Sequence, residues 1–135
     1  TIKIWNAKSG ECIRTLKGHT WDVLCVAWSP NGEIIASCSA DETIKIWNAK
    51  TGDCLQTLKG HNSNINSVSF SHDNEHLIST SDDETIKIWE LKKGNCLQTL
   101  KGHENFSIFA SFNPNGEEII STSFDQTIRV WKVKE

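Results

Sequence analysis

The chain has 135 residues, 37% apolar and 23% charged, with 14 Lys and Arg against 17 Asp and Glu for a net charge of −3. It reads as a soluble globular protein: no apolar run approaches the roughly 18 residues of a membrane span, and no secretion or transit pattern opens it. Its cations recur singly along the strands and build no clustered basic surface, so neither a membrane nor a nucleic acid is an expected partner.

The first predicted element is the strand Thr1–Trp5, TIKIW, which returns at 43–47 and 85–89 and, as TIRVW, at 127–131. A step of 42 residues superimposes Gly18-His19 on Gly60-His61 and Gly102-His103, then Asp41 on Asp83 and Asp125, then Trp47 on Trp89 and Trp131. A fixed period of this length means stacked units that cannot shelter their apolar faces alone. The repeats span about 10–47, 52–89 and 94–131, and residues 1–5 are a surplus strand of a preceding one.

Each repeat breaks into four short runs, which in the first are Cys12–Lys17, Val23–Ser29, Ile34–Ser39 and Thr43–Trp47. Runs this short, divided by turn residues, are strands. Ser29-Pro30-Asn31-Gly32 is a hairpin turn, since Pro presets φ and Asn-Gly accepts positive φ. Asn113-Pro114-Asn115-Gly116 repeats it, and Ser71-His72-Asp73-Asn74 does the same work without proline. Ile44 and Ile46 fall on one strand face and Trp47 on the other. Each small sheet must therefore be covered on both sides, as in radial stacking of four-stranded sheets around an axis. Ile65, Val68 and Phe70 are spaced three and then two apart, which predicts a β-bulge between Ile65 and Val68.

The five cysteines are read as free thiols in a reducing compartment, the cytoplasm. Cys12, Cys54 and Cys96 occupy one place in successive repeats, whereas Cys25 and Cys38 lie in strands of one unit and are candidate neighbours. The sequon Asn105-Phe106-Ser107 carries little weight without a secretion signal. The sequence has no methionine and starts within a repeat, so it is expected to be a segment of something longer.

Gly-His followed 28 residues after the histidine by the Trp of TIKIW resembles the WD40 repeat, over nearly the whole chain. The Asp that names the repeat is replaced by Asn48, Glu90 and Lys132 after the three tryptophans. The resemblance implies an all-β, partial WD40-type β-propeller of about three four-stranded antiparallel blades. It also implies a buried hydrogen-bonded tetrad in each: His19, Ser37, Asp41 and Trp47; His61, Ser79, Asp83 and Trp89; His103, Ser121, Asp125 and Trp131. Ser39, Ser81 and Ser123 share a strand face with these serines, so the choice among them rests on the family pattern.

A Ser, His and Asp in every unit also fit a hydrolytic triad, but a triad needs an exposed nucleophile beside an oxyanion hole, and a site needed once is not written three times. His72 and His76 flank a turn and are read as solvated, not as a metal pair. No catalytic residue, metal or cofactor is expected.

The resemblance further implies a protein- or peptide-binding face around the central channel. Its positions are Asp22, Leu24 and Ala40; Asn64, Asn66 and Asp82; and Phe106, Ile108 and Phe124. The third set is wholly apolar, as a recognition hot spot or as two rings that only cap the blade; Trp21 adds to the rim. Three blades do not close a ring. Either the chain is part of a larger propeller, or two copies join as a six-bladed homodimer that exchanges Cys12–Lys17 and displaces Thr1–Trp5. The expected function is a non-catalytic binding scaffold, with the alternative of a regulatory or sensing segment attached to a signalling or catalytic module elsewhere.

Overall fold

Short apolar runs cut by turn residues leave no window for a helix. The computed structural model, which describes residues 1–133, accordingly has thirteen strands and no helix among them. Strands β1 (Ile2–Trp5) and β2 (Cys12–Leu16) form a two-stranded sheet, here the half-blade. Blade 1 follows as β3 (Val23–Trp28), β4 (Ile34–Ser39), β5 (Thr43–Asn48) and β6 (Cys54–Lys59). Blade 2 is β7 (Ile65–Phe70), β8 (His76–Ser81), β9 (Ile86–Glu90) and β10 (Asn95–Leu100). Blade 3 has only β11 (Ser107–Phe112), β12 (Glu118–Ser123) and β13 (Ile128–Lys132). All pairings are antiparallel, and the sheets do not close into a ring.

Repeat and sheet are therefore offset by one strand. The first run of each repeat completes the preceding sheet, so β6 and β10 serve blades 1 and 2 while the outer edge of β13 has no partner among the described residues. Strand β1 pairs with β2: Ile2 lies opposite Leu16, and both pack with Ile35 on Trp47.

The turns form as their residues dictate. The Gly32 amide donates to the Ser29 carbonyl at 2.9 Å, with Gly32 at φ 74° and Gly116 at φ 77°. Asn74, where blade 2 has no glycine, takes φ 64°, a conformation that asparagine tolerates best among ordinary side chains. The register slips between Ile65 and Ser67, so the bulge falls on Asn66; β3 slips between Val23 and Cys25 and β11 between Ser107 and Phe109.

Blade 2 is covered on both faces by its neighbours, and blade 1 on the face toward blade 2 and, around Ile35 and Trp47, by the half-blade. Ile44, Ile46, Ala36 and Cys38 of blade 1 meet Ile65, Val68, Leu77 and Trp89 of blade 2. Ile78, Ile86 and Ile88 of blade 2 meet Ala110 and Ile119 of blade 3. Burial of a side chain of this size contributes about 1.5–3 kcal/mol, so the contacts between sheets, more than any sheet alone, hold the molecule together. Hydrogen bonds also cross the seams, Asn31 N to Asn74 Oδ1 at 3.0 Å and Arg14 Nη1 to the Thr51 carbonyl at 3.3 Å.

Candidate functional site: tetrads and the channel face

In blade 1 the Gly18-His19 loop lays the imidazole between β4 and the turn into β5. His19 Nδ1 is 2.8 Å from Asp41 Oδ2 and Nε2 is 2.7 Å from Ser37 Oγ, to which Trp47 Nε1 donates at 2.9 Å. Blade 2 repeats this with His61, Asp83, Ser79 and Trp89 at 2.7, 2.7 and 2.8 Å. Blade 3 does so with His103, Asp125, Ser121 and Trp131 at the same three distances. A carboxylate only accepts, so Nδ1 carries the proton; Nε2 then accepts from the serine hydroxyl, whose oxygen takes the indole N–H. Each imidazole, indole N–H, serine hydroxyl and carboxylate of the three tetrads thus has a partner, and orphaning one costs about 1–3 kcal/mol.

Ser39, Ser81 and Ser123 do different work: they receive the amides of Asp41, Asp83 and Asp125 at 3.0–3.1 Å.

Each aspartate has a further partner that the tetrad pattern does not name. Thr43 donates both its amide (2.9 Å) and its hydroxyl (2.6 Å) to Asp41 Oδ1, and the Thr20 amide reaches Oδ2 at 3.1 Å. Thr85 and Thr127 repeat this on Asp83 and Asp125. The recurring Thr two residues after each Asp was the available signal. Burial alone raises the Asp41 carboxyl, but the donations from Thr43, His19 and the two amides outweigh it and bring the group to about 2. Asp83 and Asp125 are likewise held below the usual carboxylate range.

The glycine before each histidine has a steric cause. A Cβ on Gly18 would stand 3.1 Å from Cη2 of Trp47, on Gly60 3.1 Å from that of Trp89, and on Gly102 3.0 Å from that of Trp131. The tryptophan reaches its serine only by passing over bare backbone.

The order Asp–His–Ser matches that of a hydrolytic triad, but the three serines are fully buried and their oxygens are already engaged by indole N–H. No face of the hydroxyl is left for a carbonyl carbon, so the arrangement rigidifies the blade. Asp73, Glu75 and His76 could hold a metal ion, with ligand atoms within 4.8 Å of one another. Asp73 is already bonded to Ser71, the Glu75 amide and His76. Asn31 and Asn115 accept the corresponding amides in the other blades, so the cluster is a turn; His72 is exposed beside it.

The positions expected on the channel face lie around the starts of β3, β7 and β11 and just past the ends of β4, β8 and β12. Within each blade two of them are joined through the backbone: Ala40 N to Asp22 O at 2.8 Å, Asp82 N to Asn64 O at 2.9 Å, and Phe124 N to Phe106 O at 3.1 Å. Asp22, Leu24 and Asn64 are exposed, and Ala40, Asp82 and Ile108 half-buried. Asn66 is committed internally, its Nδ2 donating to Asp82 Oδ1 at 2.8 Å and across the seam to the Ser107 carbonyl at 2.9 Å. Phe106 and Phe124 are 40% and 62% exposed, with ring centroids 6.0 Å apart and planes tilted by 44°. They touch each other and still face solvent. Trp21 is also exposed.

Repeated four-strand units, a Trp–Ser–His–Asp chain in each and an open radial stack define a WD40 propeller segment. Residues 10–48, 52–90 and 94–132 each match the family described as WD domain, G-beta repeat, and the chain belongs to that family. Among curated relatives it is 55% identical over 38 residues to "Protein HIRA homolog" of Drosophila melanogaster, covering 28% of this chain and 4% of that protein. It is 51% identical over 37 residues to "Ribosome assembly protein 4" of Saccharomyces cerevisiae, covering 27% and 7%. With "Nuclear distribution protein PAC1" of Arthroderma benhamiae it shares 46% over 43 residues, covering 32% and 9%. The match thus spans under a tenth of each relative's length, about one repeat. WD40 proteins generally act as non-catalytic scaffolds for protein interactions.

Proposed function

We propose that this chain is a peptide- or protein-binding scaffold segment whose partner is held on the channel face, with Phe106 and Phe124 as its anchor. The carrying observation is the exposed ring pair itself: two contacting aromatics left to solvent, in the blade whose three channel positions are all apolar. Large rigid side chains of this kind supply most of the energy of an interface from few residues. Asn66 holds Asp82 and the Ser107 carbonyl on one amide. That places a carboxylate close to Phe106, fitting a partner side chain with an aliphatic body and a cationic tip, such as arginine. The tetrads supply rigidity and the loops supply contacts. The uncovered sheet faces are completed by further blades of a larger ring.

The test is a peptide selected from a random library for binding to the protein, with Kd measured against a Phe106→Ala, Phe124→Ala double variant. A weakening of roughly 30-fold or more, corresponding to a hot spot of about 2 kcal/mol, supports the reading. Full affinity in a variant with an unchanged melting curve removes it.

A further inference from the structure

Cys25 and Cys38 face each other in register across β3 and β4, immediately after the bulge at Leu24. Directly opposed residues of an antiparallel pair have Cα atoms about 4.5–5.5 Å apart, inside the roughly 4.4–6.8 Å span of a disulfide. The matching register position of blade 2 shows what this geometry does to side chains. There Ser67 lies opposite Thr80, and their hydroxyl oxygens are 2.7 Å apart. Blade 1 carries two sulfurs where blade 2 carries two oxygens.

The two thiols are not equivalent. Cys38 is fully buried, whereas Cys25 keeps partial access to solvent. The Cys38 thiol beside it favours thiolate at Cys25 against the burial that opposes it, and the same pairing, together with burial, holds the proton on Cys38. Their face is covered by Val68 and the rest of blade 2, so the site is independent of the open ends of the stack. Cys12, Cys54 and Cys96 are a built-in contrast: each is exposed, on an outer strand, and turned to the carbonyl two residues on within its own strand.

We infer that Cys25 and Cys38 form a peroxide-reactive modification site, Cys25 as the attacking sulfur and Cys38 as the resolving one. Cys25 thiolate attacks an oxygen of hydrogen peroxide; the S–O bond forms, the O–O bond breaks, and the departing hydroxide takes a proton and leaves as water. The product is a sulfenic acid on Cys25. The sulfur of Cys38 then attacks that of Cys25; the S–S bond forms, the S–O bond breaks, and the hydroxyl leaves with the Cys38 proton as a second water. Two thiols and one peroxide become one disulfide and two waters. The product ties the innermost strand of blade 1 to its neighbour at the bulge that presents Leu24 to the channel face.

The experiment exposes the protein briefly to hydrogen peroxide, quenches in acid, unfolds, alkylates with iodoacetamide and reads each cysteine by peptide mass spectrometry. Cys25 and Cys38 are expected to lose alkylation together, roughly tenfold faster than the exposed thiols. They should appear as one linked peptide pair two hydrogens lighter, restored by dithiothreitol. In Cys38→Ser, Cys25 should be captured by dimedone as the sulfenic acid; if that variant does not fold, the wild-type measurement decides alone. Three results overturn the proposal: both cysteines still alkylated when Cys12, Cys54 or Cys96 has begun to oxidise, Cys25 oxidised without Cys38, or Cys25 joined to any other cysteine.

Discussion

The smallest unit that explains this molecule is the aspartate of each tetrad, which accepts from a histidine, a threonine hydroxyl and two backbone amides at once. Those donors favour its charged form, which sets a pH dependence with a definite sign. A carboxyl whose folded pKa lies below its unfolded value contributes stability that is complete above the unfolded value and is lost as pH falls through the folded one. For Asp41 the window runs from an unfolded value of about 3.9 down to about 2, and Asp83 and Asp125 shift the same way. Urea midpoints followed by tryptophan fluorescence should therefore be flat down to about pH 5 and drop steadily below it. Asp83→Asn should have a lower midpoint at neutral pH and a shallower acid slope. An unchanged slope would mean that the carboxylate is not the titrating group.

At the scale of the strand, the deciding contact is between Gly60 at the end of β6 and the Trp89 indole of β9. Trp89 is itself fully buried among blades 1 and 2, so it cannot move aside for a side chain on Gly60. Gly60→Val is expected to cost about 1–3 kcal/mol by overpacking and to red-shift tryptophan emission as the indole leaves Ser79. Chemical denaturation and the emission maximum check both parts. This contact was not legible in the sequence, where Gly18, Gly60 and Gly102 recur without any sign of what lies over them. The bulge at Asn66 was legible, because the Ile65–Val68–Phe70 spacing breaks strict alternation. The pairing of histidine, serine and aspartate came from the family pattern; spacing alone could not choose Ser37 over Ser39, since both point the same way. What spacing also could not show is that Asn66 spends its amide on the next blade, a contact made only after the sheets are stacked.

For the whole molecule the governing fact is that the radial stack has two uncovered ends. Phe109, Ile120, Ile128 and Val130 of blade 3 face solvent at one end, and Trp5, Val26 and Trp28 do so at the other. Apolar faces of this kind promote association, and the edge of β13 invites a further strand. Light scattering on these 135 residues expressed alone should give a mass above one chain that rises with concentration. Ile128→Lys with Val130→Lys should return it toward a single chain, and a monodisperse monomer of the unaltered sequence would contradict the prediction. A compact dimer would favour exchange of β2 between two copies, whereas larger aggregates would favour a ring completed by other blades. The offset between repeat and sheet is already implied by the expected exchange of Cys12–Lys17, which treats that run as the outermost strand of another sheet. That offset has a cost during folding. Residues 15–18, 57–60 and 99–102 all read TLKG, so each inner hairpin meets several almost interchangeable finishing strands. A mistaken closure would skip a whole blade yet satisfy most local bonds, and escape from it would require unzipping an entire edge. Near-copies that make the stack easy to extend also make it easy to assemble in the wrong order.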